Sequence, residues 1–213
     1  MQQKNGGTDI PVSNKESVMN KRNSQANTVA EDEARGIRFS EDKSILLKYN
    51  ADLPDETYAI PAGVTTIGDN AFFCCPNLMR IIIPASVTSI GEWAFAYCMN
   101  LKKLNIPEGV TFIGSGAFSS CINWKSVKIP TTITSIGKSV FAHCGLIRAH
   151  IPEGVRSIGD YAFAFCDLMD VTIPKTVTHI GQGAFASRTY SGLSQGWTAN
   201  ELKTRYPHLF SDK

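Results

Sequence analysis

Apolar and polar positions along this chain recur in blocks of 22 or 23 residues, a spacing far longer than that of a helix or a strand. Ile-Pro pairs set the register, with their prolines at Pro61, Pro84, Pro107, Pro130, Pro152 and Pro174. Each is followed at a fixed distance by a glycine (Gly68, Gly91, Gly114, Gly137, Gly159, Gly181) and then a phenylalanine (Phe72, Phe95, Phe118, Phe141, Phe163, Phe185). A cysteine closes five of the six blocks (Cys75, Cys98, Cys121, Cys144, Cys166), and Arg188 takes its place in the last. Within one block, Leu104 and Ile106 share one face of an extended segment that Pro107 ends, because proline donates no ladder hydrogen bond. Val110 and Ile113 then turn inward around Thr111 and Phe112, and Gly114 is expected to supply a permissive backbone where the chain reverses. Ala117, Phe118 and Cys121 form the inner side of a short helical turn, and Trp124 opens the next block where others have leucine. About eight inward apolar side chains per block, each contributing roughly 1.5–3 kcal/mol when buried, find no shelter in a single coil. Stacked coils bury them, so each inward position becomes a ladder through a solenoid.

The string Leu-x-x-Ile/Leu/Val-x-Ile-Pro-x-x-Val-Thr-x-Ile-Gly-x-x-Ala-Phe-x-x-Cys resembles the BspA-like class of leucine-rich repeats over about residues 38–187. The run from Phe39 through Ile45–Tyr49 to Tyr58–Pro61 resembles the hairpin that opens such arrays. Trp124, Val140 in place of alanine, and Arg188 depart from the pattern and bear on local packing. The resemblance implies a leucine-rich repeat solenoid of about six coils, with short parallel strands on one face and short helical turns on the other. It also implies a surface-displayed or secreted adhesin-like protein that binds host matrix or other surface proteins.

The expected organisation is a flexible polar leader over 1–34, the solenoid with its hairpin cap over 35–187, and a C-terminal cap over 188–213. Thr28 and Glu31 have the spacing of a capping box for a short helix. Thr198 and Glu201 have the same spacing, and Trp197 and Leu202 sit where a hydrophobic staple belongs, which predicts a lid helix from about Ala199 to Tyr206 stopped by Pro207.

A net charge of +2 calls for neither nucleic acid nor an anionic membrane, and no apolar stretch is long enough to span a bilayer. The first thirty residues lack the apolar core of an export signal, so the compartment stays open between the cell surface that the resemblance implies and the cytoplasm. The glycine pairs at Gly114–Gly116 and Gly181–Gly183 lack the third glycine and crossover helix of a dinucleotide loop. The ladder cysteines form a line and not the converging set that zinc requires, and they read as buried thiols; Cys74, in a variable column with Tyr97, Ser120, His143 and Phe165, reads as an exposed one. His143, His150, His179 and His208 show no ligand spacing, and the acidic residues are unpaired. No cofactor, metal or catalytic residue is expected.

The strand face carries the candidate site. Alternation points two residues per coil outward, giving Arg80 and Ile82, Lys103 and Asn105, Ser126 and Lys128, Arg148 and His150, Asp170 and Thr172. Two readings of Arg80, Ile82, Lys103, Asn105, Lys128, Arg148, His150 and Thr172 remain open: a solvated face that keeps a sheet soluble, or a docking surface for a protein partner with a mildly basic stripe. The aromatics Trp93, Tyr97, Tyr161 and Phe165 on the opposite side are a second candidate surface. Three classes of function follow: a surface protein-binding module, an intracellular interaction scaffold, and an enzyme that no constellation supports.

Overall fold

A computed structural model of the chain describes residues 26–186 and Thr204, so the expected lid helix over 199–206 falls outside the described residues apart from that single position. Helix α1 (Val29–Ala34) opens the described structure. Its capping box is complete: the Thr28 side chain accepts from the Glu31 amide, and the Glu31 carboxylate accepts from the Thr28 amide. The short helix whose capping box the sequence offers at Thr28 and Glu31 thus lies at the end of the span expected as a polar leader. Asp32 on α1 is fully buried, accepting hydrogen bonds from the Tyr58 hydroxyl at 2.5 Å and the Asn27 amide at 2.8 Å, with Arg35 at 3.5 Å. Helix and first coil thus form one unit, because withdrawing a buried carboxylate from these partners is costly. Strands β1 (Arg38–Phe39) and β2 (Ile45–Lys48) follow as the antiparallel hairpin.

Each coil then contributes two short strands, not one. The first sheet is built from β3 (Thr57–Ala59), β5 (Arg80–Ile82), β7 (Lys103–Leu104), β9 (Ser126–Lys128), β11 (Arg148–His150) and β13 (Asp170–Thr172). The second is built from β4 (Thr66–Ile67), β6 (Ser89–Ile90), β8 (Phe112–Ile113), β10 (Ser135–Ile136), β12 (Ser157–Ile158) and β14 (His179–Ile180). All pairing between coils is parallel and in register, and β2 of the hairpin joins the second sheet through β4. The two-residue strand after each proline corner turns its isoleucine toward the core and leaves the residue before it exposed or half-buried.

The third side of each coil is made of turns; α1 is the one helix of more than a single residue among those described. Left-handed residues recur four apart, as at Asn70 and Cys74, Trp93 and Tyr97, Ser139 and His143, Tyr161 and Phe165. A residue at positive φ stops a right-handed helix from propagating, so the expected helical turns are replaced by stacked turns. Their amides alternate between the coil's own carbonyls (Ala71 to Gly68) and those of the next coil (Phe72 to Ala94 at 2.6 Å, Cys74 to Ala96 at 2.9 Å).

Inside, the six phenylalanines form one stacked column. Phe72 and Phe95 are 5.0 Å apart between ring centroids, Phe95 and Phe118 5.2 Å, Phe141 and Phe163 5.2 Å, and Phe163 and Phe185 5.4 Å. Tyr49 extends the column into the cap. The five ladder thiols lie beside it, buried and unpaired by disulfides. Four of them donate to a phenylalanine carbonyl of the preceding coil, Cys98 to Phe72 at 3.0 Å and Cys144 to Phe118 at 2.9 Å among them. Cysteine suits this column because it fills a small apolar site and still offers a proton to a buried carbonyl.

The repeated glycine has a different cause from the one expected. At Gly114 the backbone is not left-handed; a Cβ there would stand 2.5 Å from the Glu92 amide nitrogen of the previous coil. Close approach of successive coils, and not conformational freedom, excludes a side chain at Gly91, Gly114, Gly159 and Gly181.

Candidate binding surface and the seam between the third and fourth coils

All eight residues expected on the strand face are exposed on the first sheet or directly beside it. Register sorts them into two columns. Thr57, Arg80 and Lys103 stand side by side, and so do Ser126, Arg148 and Asp170. The second column places Ala59 beside Ile82, and Lys128 beside His150 and Thr172. Arg80, Lys103, Lys128 and Arg148, the cations of the expected basic stripe, therefore do not form one column. Lys128 lies in the other column, and Ser126 separates Lys103 from Arg148.

Two of these cations are matched by acids. Lys128 Nζ lies 2.9 Å from Glu108 Oε1, and Arg148 Nε lies 4.0 Å from Asp170 Oδ2. Glu108 binds Lys128 with one carboxylate oxygen and receives the Thr131 amide and hydroxyl on the other, at 2.9 and 3.0 Å. The Lys128 ammonium first, then the Thr131 donors, hold the Glu108 carboxyl down at about 2. Arg80, Lys102 and Lys103 have no acidic partner within salt-bridge distance among the described residues.

Both sheets are interrupted at one place. Strand β7 does not pair with β9, nor β8 with β10, so the ladders divide between the third and fourth coils. At the other junctions the amides at these positions bond to the preceding coil: Lys102 to Met79 at 2.8 Å, Thr111 to Thr88 at 2.9 Å, Gly114 to Ile90 at 2.8 Å, Ile147 to Lys125 at 2.9 Å. Among the described residues, the matching amides of Lys125, Thr134 and Gly137 make no such bond to the third coil. Spacing agrees: a Cβ on Gly137 would be 3.7 Å from the Ile113 oxygen, whereas on Gly91, Gly114, Gly159 and Gly181 it would meet the neighbouring coil's backbone at 2.4 to 2.9 Å. Phe118 and Phe141 are correspondingly 5.6 Å apart.

Trp124 explains the parting. Its indole fills the buried place held by Leu78, Leu101, Leu146 and Leu168 in other coils, and it packs on Phe118 and Phe141 at 5.2 and 6.0 Å. A side chain that large cannot fit at leucine spacing, so the strands give way. The turn side stays closed, with Gly116 to Lys138 at 2.9 Å, Phe118 to Val140 at 2.9 Å and Ser120 to Ala142 at 2.8 Å. The Glu108–Thr131 contact, with Thr132 Oγ1 on the Val110 oxygen at 2.5 Å, pins the corner between the two sheets. The solenoid is thereby opened like a wedge on its strand sides.

On the first sheet the seam runs into an open groove of about 650 Å³, whose walls include Arg80, Ile82, Lys102, Lys103, Leu104, Asn105, Trp124 and Ser126. Arg80, Ile82, Lys103 and Asn105 from the sequence-derived set meet here; Lys128, Arg148, His150 and Thr172 do not. Trp124, Lys102 and Leu104 are among the groove residues that outward alternation does not include. The signal for Trp124 was its departure from leucine.

On the opposite side, Trp93 and Tyr161 lie over glycines of the following coil, since a Cβ on Gly116 or Gly183 would come within 2.7 Å of their rings. These aromatics cover backbone between coils. Among the described residues no group of three or more His, Cys, Asp or Glu side chains is placed to hold a metal ion, and no helix is long and apolar enough to cross a membrane.

Comparison with known proteins accords with this architecture. A family model described as a BspA type leucine rich repeat region, in six copies, matches residues 65–192 and 137–211. A leucine rich cell surface protein from Faecalibacterium prausnitzii is 34% identical, with a TM-score of 0.58, over 68% of this chain and 43% of its own. A leucine-rich repeat protein from Bacteroides ovatus is 26% identical, with a TM-score of 0.53, over 70% of this chain and 47% of its own. Another, from Eubacterium ventriosum, is 26% identical with a TM-score of 0.53, over 78% and 52%. The chain thus spans about half the length of these structures. No curated protein gives a significant match.

Proposed function

The chain belongs to the BspA-type leucine-rich repeat family, and from that premise we propose that it is a protein-binding module, displayed on or secreted from a bacterial cell, that docks partners along its first sheet. The observation that carries this reading is the set of outward side chains from successive coils, held in register on a parallel sheet while the inward positions are committed to the core. A partner contacts several coils at once on such a surface, and its affinity is the sum of small, aligned contributions. The fold and the family are typically non-catalytic. The resemblance to a protein described as a cell surface protein supports the surface assignment, and matrix proteins are the partner class that the family likeness implies.

The test is binding to a panel of purified matrix proteins, with the variant carrying Lys103→Ser, Lys128→Ser and Arg148→Ser beside the parent. Binding by the parent and roughly tenfold weaker binding by the variant, at unchanged melting temperature, is the expected result. Equal binding by the two proteins removes the strand face from consideration. A panel that binds neither removes the matrix reading.

A second reading, an intracellular interaction scaffold, draws on one observation: all six cysteines are unpaired, as is usual in a reducing compartment. Fractionating the cells that express the protein separates the two.

A further inference from the structure

We infer that the seam between the third and fourth coils is a docking site for an extended acidic segment of a partner protein, and that Trp124 is the wedge that creates it. This rests on the protein-binding reading above and goes further in naming the place and the chemistry of the bound segment. Three observations converge. The groove is lined by Arg80, Lys102 and Lys103 with no acidic side chain among its walls. The neighbouring Glu108 is occupied by Lys128 and Thr131 and is not aimed at these cations. Finally, the parted ladder leaves the Lys125 amide, between the groove residues Trp124 and Ser126 in the chain, without the carbonyl that its counterparts Lys102 and Ile147 enjoy.

An unmatched backbone donor beside unpaired cations is complementary to carboxylates and backbone carbonyls. Ile82, about 40% exposed, and Leu104 give the same groove an apolar strip. A segment alternating acidic and apolar residues presents both kinds of group at the period of a strand. Leucine at position 124 would let the coils close, and the groove would shrink along with the supply of free donors.

Two measurements test the inference. The first needs no ligand: backbone hydrogen exchange in the parent protein. Amides at Lys125, Thr134 and Gly137 should exchange much faster than those at Lys102, Thr111 and Gly114, and Trp124→Leu should slow them. Equal protection in the parent means that the seam is closed, and the inference falls.

The second is fluorescence polarisation with a labelled short peptide of alternating glutamate and valine, and a lysine–valine peptide as control. The parent should bind the acidic peptide alone. Trp124→Leu and, independently, the exposed double variant Lys102→Ser/Lys103→Ser should weaken binding roughly tenfold or more. Lys128→Ser/Arg148→Ser, on the same sheet but outside the groove, should not. The Lys102/Lys103 variant keeps the test meaningful if Trp124→Leu misfolds, because its changes lie on the surface. Equal losses from Lys128→Ser/Arg148→Ser overturn the seam while leaving the strand face standing as the binding surface. Binding of a heparin fragment but not of the peptide also overturns the seam proposal, placing an anionic polysaccharide there instead.

Discussion

Phe118 sits at the middle of the aromatic column, fully buried, stacked on Phe95 and Phe141 and touching Trp124. Its truncation empties a packed site with no mobile neighbour to refill it, so Phe118→Ala should cost roughly 3–5 kcal/mol in a denaturant melt. The thiol column is equally committed. Burial pushes the Cys144 thiol up, and a shared hydrogen bond with Cys144, followed by burial, does the same to Cys166. Native labelling should therefore modify Cys74, which is exposed, and denaturant should release the other five. More than one fast-reacting thiol in the native state would contradict the stacked column. Glu108 gives a pH signature. Its folded value lies below its ordinary 4.5, so the contribution of its contacts is complete above that pH and is lost as pH falls toward about 2. Glu108→Gln should flatten the stability profile across that window and leave it unchanged at neutral pH relative to its own value at pH 5.

At the scale of elements, short motifs in the sequence carried the secondary structure where one local cause sufficed. The capping box at Thr28 and Glu31 forms the helix it predicted, and Ile-Pro ends every first-sheet strand it was expected to end. What local patterns did not reveal is docking. Helix α1 is fixed to the first coil because Asp32 meets the Tyr58 hydroxyl, while Asn27 and Arg35 hold the same carboxylate from the two ends of the helix. Replacing Asp32 with alanine leaves the Tyr58 hydroxyl buried without its acceptor, which should cost roughly 1–3 kcal/mol and open the Arg35 bond to trypsin. A variant as protease-resistant as the parent would show that α1 is held by something other than this network. The one-residue shortening of the fourth interval, from Pro130 to Pro152, brings in a glycine for a similar non-local reason: a Cβ on Gly145 would be 1.9 Å from the Ile122 oxygen of the preceding coil.

For the whole molecule, charge on the first sheet acts on encounter more than on the final fit. Association with an acidic partner should slow as salt rises beyond about 0.15 M, where screening reaches about 8 Å. Stopped-flow rates across a salt series check this, and a rate indifferent to salt would mean that the cations of the first sheet do not steer the partner. The two clusters of cations differ in weight: Arg80, Lys102 and Lys103 face solvent without acids, whereas Lys128 and Arg148 are already matched, so most of the effect of the triple serine variant should come from Lys103.

The sequence by itself determined the solenoid, because a residue repeated at one position in every coil has one environment, and the phenylalanine, cysteine and proline columns each state theirs. It also determined which side chains point outward, since alternation along a strand is a local property. The second sheet was legible only in part: Val and Ile were seen to turn inward, but pairing between their neighbours is a relation between coils. The cause of the glycine column, the sorting of the cations into two columns, and the opening at Trp124 were decided by the tertiary structure. Each depends on the distance between successive coils, and that distance is set by the bulk of side chains 22 or 23 residues apart. Trp124 could be recognised in the sequence as the wrong size for its place; where the resulting strain would go, into the strand ladders and not into the turns, required the hydrogen bonds that hold the turn side shut.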